Sequence, residues 1–100
     1  RWATFYPYGS TAKPGKVHEV EVRVSNHSPV KRTFKITPRG WNGLKVLSKP
    51  QSLTLASRAD GAVKVRVRVP GKKGTYVVTA DVDSKDMHFR DWLEALVRVE

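Results

Sequence analysis

Ala62-Val63-Lys64-Val65-Arg66-Val67-Arg68-Val69, closed by Pro70-Gly71, decides how this chain folds. Valines occupy one parity and cations the other. In an extended backbone successive side chains point to opposite faces, so the run is a strand with one apolar face and one solvated, basic face. Proline then fixes φ and glycine supplies a turn conformation, which stops it.

The same period recurs on both sides. Val20, Val22 and Val24 alternate with Glu19, Glu21 and Arg23. Val17 falls out of that parity, which predicts a bulge or a late strand start near His18. Phe34 and Ile36 alternate with Thr33, Lys35 and Thr37, and Pro38 to Gly43 reads as a break. Leu44 to Leu47 and the pair Leu53, Leu55 mark short strands. Tyr76, Val78, Ala80 and Val82 form a further inward set, and Ala95, Val97 and Val99 close the chain. Thr4 to Tyr8 reads as one edge strand, where Pro7 is tolerated. Phe89, Leu93 and Leu96 fall at helical spacing, which predicts a short turn or helix around Arg90-Asp91 before the last strand.

Turn signals separate these runs at Lys13-Pro14-Gly15-Lys16, Ser25 to Pro29, Ser57 to Gly61 and Pro70 to Gly74. About seven short strands at turn intervals, with no Cys…Trp…Cys pattern, define an all-β chain: an Ig-like (fibronectin III-like) antiparallel β-sandwich. In such a sandwich the second and fifth strands pair antiparallel. Glu19, Glu21 and Arg23 then lie beside Lys64, Arg66 and Arg68, and the basic stripe is partly neutralised.

The chain has 100 residues, the size of one domain. It starts with Arg1 rather than Met, and Glu100 directly follows an apolar strand pattern. The expectation is a single domain, residues 1–100, excised from a larger multidomain protein. No apolar stretch approaches the ~20 residues that span a bilayer, so no membrane span is expected. The absence of cysteine excludes disulfides, thiolate metal sites and a cysteine nucleophile.

The punctuation of the chain resembles a known group of accessory domains. Lys13-Pro14-Gly15-Lys16 precedes a valine-alternating strand that ends at Asn26. Gly40-Trp41, Leu53-Thr54-Leu55, Val67-Arg68-Val69-Pro70 and Gly74-Thr75-Tyr76-Val77-Val78 follow. The pattern is similar to prokaryotic Ig-like accessory domains of the cell-adhesion-related type (CARDB) and of the alpha-galactosidase-associated type. Phe5-Tyr6-Pro7-Tyr8 and the ending Phe89 to Val99 look most like the versions appended to the C-terminus of metallo-β-lactamase-fold hydrolases. The resemblance implies a non-catalytic module in a prokaryotic protein, extracellular or cytoplasmic. No His-x-His-x-Asp-His stretch is present, so any zinc chemistry would belong to a neighbouring domain.

Candidate chemistry within the chain is sparse. His18, His27 and His88 lack metal-ligand spacing. Asp81, Asp83 and Asp86 form a D-x-D-x-x-D pattern without the glycine of a calcium loop, and Lys85 intrudes. There is no nucleophile elbow and no phosphate-cradling glycine loop. No catalytic residue, metal or cofactor is therefore expected.

Two surfaces stand out instead. Trp2, Tyr6, Tyr8 and Trp41 form a candidate interaction surface, with Trp41 expected to plug one end of the sandwich and Tyr76 expected in the core with its hydroxyl on backbone. Lys13, Lys16, Arg39, Lys72 and Lys73 form a candidate basic pole, because sandwich loops gather at the ends. The net charge is +10, and residues 1–50 carry ten cations against two anions. The expected partners are other domains of the parent chain or another protein. Carbohydrate or polyanion binding is the alternative. Specific nucleic-acid binding is not expected, since the cations are not interleaved with exposed aromatics.

Overall fold

A computed structural model describes residues 1–100. It contains nine strands: β1 (Ala3–Tyr6), β2 (Gly9–Ala12), β3 (Val17–Ser25), β4 (Arg32–Gly40), β5 (Lys45–Val46), β6 (Gln51–Leu55), β7 (Asp60–Arg68), β8 (Gly74–Ser84) and β9 (Met87–Val99). Sheet I has the order β1-β3-β7-β5, and sheet II the order β2-β9-β8-β4-β6. The two pack face to face as an all-β, Ig-like sandwich.

The period-2 runs supply the core. Val20, Val22 and Val24 of β3 and Val63, Val65 and Val67 of β7 are buried, as are Val78, Ala80 and Val82 of β8 and Leu93, Ala95, Val97 and Val99 of β9. Phe34 and Ile36 of β4 complete the inner face of sheet II. Each fully buried Val, Leu, Ile or Phe contributes about 1.5–3 kcal/mol from apolar burial. The molecule is long and narrow, 45 × 19 × 19 Å. The 13 residues of β9 span most of that length at about 3.3 Å per residue.

Strand limits differ from the sequence reading in four places, each with a local cause. The N-terminal edge is two strands, divided at Pro7. β1 pairs antiparallel with β3 in sheet I, whereas β2 pairs parallel with β9 in sheet II. The edge therefore switches sheets, and Ser10 of β2 is hydrogen-bonded to His18 of β3 across the gap (2.8 Å). Burial pushes the His18 pKa below its usual value. Val17 is not at a bulge. β3 pairs with β7 in unbroken register from Val17 opposite Arg68 to Ser25 opposite Asp60, and Val17 is simply exposed on the outer face.

Pro38 does not end β4, which continues to Gly40 against β8. β6 begins at Gln51 opposite Ile36, so β4 is an edge strand beyond that point and tolerates a proline. No helix forms near Arg90-Asp91. β9 instead bulges: Ala80 and Val82 of β8 face Leu93 and Phe89, and Asp91 takes a positive φ of 46°. The helical spacing of Phe89 and Leu93 comes from these extra residues in a strand, since a bulge inserts unpaired residues into one side of a ladder.

Between β4 and β6 the chain crosses to sheet I, forms β5 beside β7, and returns. Gly40 sits at the exit. A Cβ there would collide with the Leu44 carbonyl, so the crossing requires glycine. At the far end Asn26 is fully buried. Its amide donates to the carbonyls of Val30, Leu55 and Ala56, and its Oδ1 accepts from the Ser28 N–H.

Candidate functional site

Tyr6 and Tyr8 are 51% and 56% exposed at the sheet-switching edge. They border a groove between β1 and β9 lined by Arg1, Phe5, Trp92, Leu93 and Glu94. The switch creates this groove: β2 covers β9 only from Leu96 to Val99, so the earlier part of β9 faces β1 of the other sheet. The Tyr8 hydroxyl donates to Glu94 Oε2 at 3.2 Å, and that bond raises the Tyr8 pKa above its usual value. The Arg23 guanidinium lies 3.5 Å from the Tyr6 ring centroid, so one face of that ring is occupied.

Trp2 does not line the groove and packs behind Trp92. It is half-buried against Phe34 (5.4 Å between centroids) and Trp92 (4.7 Å), and Trp92 stacks on Phe89 at 4.6 Å. Arg1 donates to the Trp92 carbonyl (2.7 Å) and lies over its ring. Trp92 and Leu93 line the groove although they were not part of the candidate interaction surface. The broken alternation at Arg90-Asp91-Trp92 was the available signal, since a bulge re-aims side chains.

Trp41 lies away from this groove and does not plug an end. It is 43% exposed on the outer face of sheet II, where its Nε1–H donates to Thr79 Oγ1 at 2.9 Å. Thr79 donates in turn to Asp91 Oδ1 (2.7 Å). Beside it Asp81, on an outward-facing position of β8, is only 3% exposed. Arg39 reaches its Oδ2 through Nη2 (2.8 Å) and Nε (3.2 Å), and the Asp91 N–H donates to its Oδ1 (2.7 Å). Arg90 bridges Asp81 and Asp83, and His88 meets Asp83 at 2.7 Å. The Arg90 hydrogen bond, followed by that of His88, holds the Asp83 carboxyl below its usual value.

Arg39 is therefore part of this network and not of the basic pole. The other four candidates do gather. The Gly15 N–H donates to the Pro70 carbonyl (3.1 Å) and the Val69 N–H to the Lys16 carbonyl (3.0 Å), which joins the Lys13–Lys16 turn to the turn carrying Lys72 and Lys73. Arg68 Nη1 donates to the Gly15 carbonyl, and Lys45 lies directly across from Arg68. The Tyr76 hydroxyl closes the second turn on the Lys72 carbonyl at 2.7 Å, with its ring buried. No group of three or more His, Asp or Glu side chains is placed to hold a metal ion.

No protein-family model and no curated protein matches the sequence. The fold is shared with solved structures of low sequence identity. An Escherichia coli alpha-2-macroglobulin superimposes with a TM-score of 0.75 at 15% identity, over 98% of this chain and 6% of that one. A Salmonella alpha-2-macroglobulin gives 0.75 at 21% identity, over 97% and 7%. The CARDB domain of a Pyrococcus furiosus protein, solved in complex with di-metal ions, gives 0.64 at 18% identity, over 98% and 85%. This chain thus has a CARDB-like Ig fold and spans a small fraction of the alpha-2-macroglobulins it superimposes on.

Proposed function

We propose that this chain is a non-catalytic module that docks on, and positions, an adjoining folded domain of a longer protein through the groove between β1 and β9. One observation carries this reading: two half-exposed tyrosines border a contiguous cleft lined by Phe5, Trp92 and Leu93, with Arg1 and Glu94 among its polar lining. Aromatic residues and arginine are enriched where proteins meet, and a mixed aromatic cleft with a polar rim suits a folded partner. The alpha-2-macroglobulins, in which the same fold is a small part of a long chain, add support.

The finer reading places the module beside a hydrolase of the metallo-β-lactamase fold. The segments that carry that resemblance, Phe5 to Tyr8 and Phe89 to Val99, supply most of the groove lining. A glycan platform has less support. Every close aromatic pair lies within the Trp2, Phe34, Phe89 and Trp92 cluster, and Arg23 covers one face of Tyr6.

NMR shift mapping of the labelled chain against the remainder of its encoded polypeptide tests the reading. The expected perturbations centre on Tyr6, Tyr8, Leu93 and Glu94. The double variant Tyr6→Ser, Tyr8→Ser is expected to weaken association about tenfold or more. Perturbation of the same residues by a neutral glycan, or of a different surface by the parent domains, overturns it.

A further inference from the structure

The outer face of sheet I carries charge in a way that its strand register does not explain. Glu21 and Glu19 stand directly across from Lys64 and Arg66, as the pairing of β3 with β7 requires. Neither pair closes to within 4 Å. Glu21 turns to Arg23 on its own strand instead (2.7 Å), and Glu19 meets no cation at that distance. All the close ion pairs of the molecule involve Arg23, Arg39, Arg90 or His88. Lys64, Arg66 and Arg68 are exposed and free of carboxylates. Same-face neighbours on a strand are about 6.7 Å apart, so these three form a straight row about 13 Å long. Arg68 ends the row against the Gly15 carbonyl and beside Lys45, where the Lys13, Lys16, Lys72 and Lys73 turns continue it.

We propose that this row, from Lys64 to the Lys72-Lys73 turn, binds a linear acidic polysaccharide, a chain of regularly spaced carboxylate or sulfate groups. The width of the row selects for a narrow ligand. The adjacent row on β3 holds Glu19 and Glu21 against the single cation Arg23, so a flat anionic bilayer would meet both rows and be repelled by the net negative one. The row also lacks stacking platforms. The outward positions of β7 and β5 are Asp60, Ala62, Lys64, Arg66, Arg68 and Lys45, none of them aromatic, and a single nucleic-acid strand is held largely by aromatic stacking. The site lies on a different face from the proposed docking groove and stands or falls separately.

Affinity for heparin and for polygalacturonate, used as sulfated and carboxylated probes, tests the assignment by titration at low salt. Binding is expected to fall steeply with salt and to weaken about tenfold or more in the triple variant Lys64→Gln, Arg66→Gln, Arg68→Gln. The pair Lys72→Gln, Lys73→Gln, in an exposed turn, gives a second reading that leaves the strand untouched. The control Lys31→Gln, Lys35→Gln, Lys85→Gln removes the same charge from elsewhere and is expected to change affinity less than about twofold. Equal losses in the row and control variants reduce the effect to net charge and overturn the proposal. So does tighter binding to a single-stranded DNA oligomer or to phosphatidylglycerol vesicles than to either polysaccharide, and so does no binding to either polysaccharide.

Discussion

The outer faces of the two sheets are built from the same alternating strands and end in opposite electrostatic states. On sheet II, Asp81 is nearly buried although it points outward, because Arg39, Arg90 and the bulged backbone at Asp91 close over it. On sheet I, Lys64 and Arg66 project from regular backbone with Glu21 and Glu19 opposite them, and neither cross-strand pair closes. Alternation alone therefore does not produce cross-strand ion pairing. A bulge that turns a peptide N–H and a second carboxylate into the same spot does. The first face is a fixed part of the fold, and the second is a free surface.

The largest effect is expected where the chain crosses from one sheet to the other. Gly40→Ala drives a Cβ into the Leu44 carbonyl and is expected to lower stability by about 3 kcal/mol, read as a lower denaturant midpoint. A neutral result would mean that the two faces are set independently of the crossing.

Next comes Asp81→Ala, which strips Arg39 and the Asp91 N–H of their acceptor. Its expected cost is about 2 kcal/mol, moderated because Arg39 is able to rehydrate. A cost near zero would put the sheet II network on a par with the open face.

The third test uses acid. Arg90 and then His88 hold Asp83 below its usual 3.8. A carboxyl with a lower pKa folded than unfolded adds stability above its unfolded value, and that stability is lost as pH falls through the depressed folded value. The stability gap between the wild type and Asp83→Asn is therefore expected to be constant well above the unfolded carboxyl value and to close as pH falls through the depressed folded value. A gap that persists in acid would show that the pair does not form.

The smallest effect belongs to sheet I. Lys64→Gln is expected to shift stability by less than about 0.5 kcal/mol in thermal unfolding. A larger loss would show that Glu21 pairs across the strands after all.

The opening valine and cation run was enough to place β7, its inward face and its antiparallel partner. Period-2 alternation is a local property that any extended backbone converts into two faces. That Glu19, Glu21 and Arg23 share one outer face with Lys64, Arg66 and Arg68 was legible for the same reason, whereas the register itself was not. Three further features were not. Pro7 dividing one edge strand between two sheets depends on which strands lie alongside. The bulge at Asp91 presents a helical spacing to a reader of sequence alone. The separation of Arg39 from the lysine turns depends on Asp81, 42 residues away, capturing its guanidinium.

The groove follows the same division. Tyr6 and Tyr8 announce themselves as aromatics on an edge, whereas Trp92 and Leu93 join them only because the switch to sheet II leaves part of β9 uncovered. The sequence by itself determined an all-β sandwich, its buried residues and its excess of positive charge, since these follow from period and composition. Only the tertiary structure decided which charges are neutralised and which aromatics share a surface. Both depend on residues distant in the chain meeting at contact range.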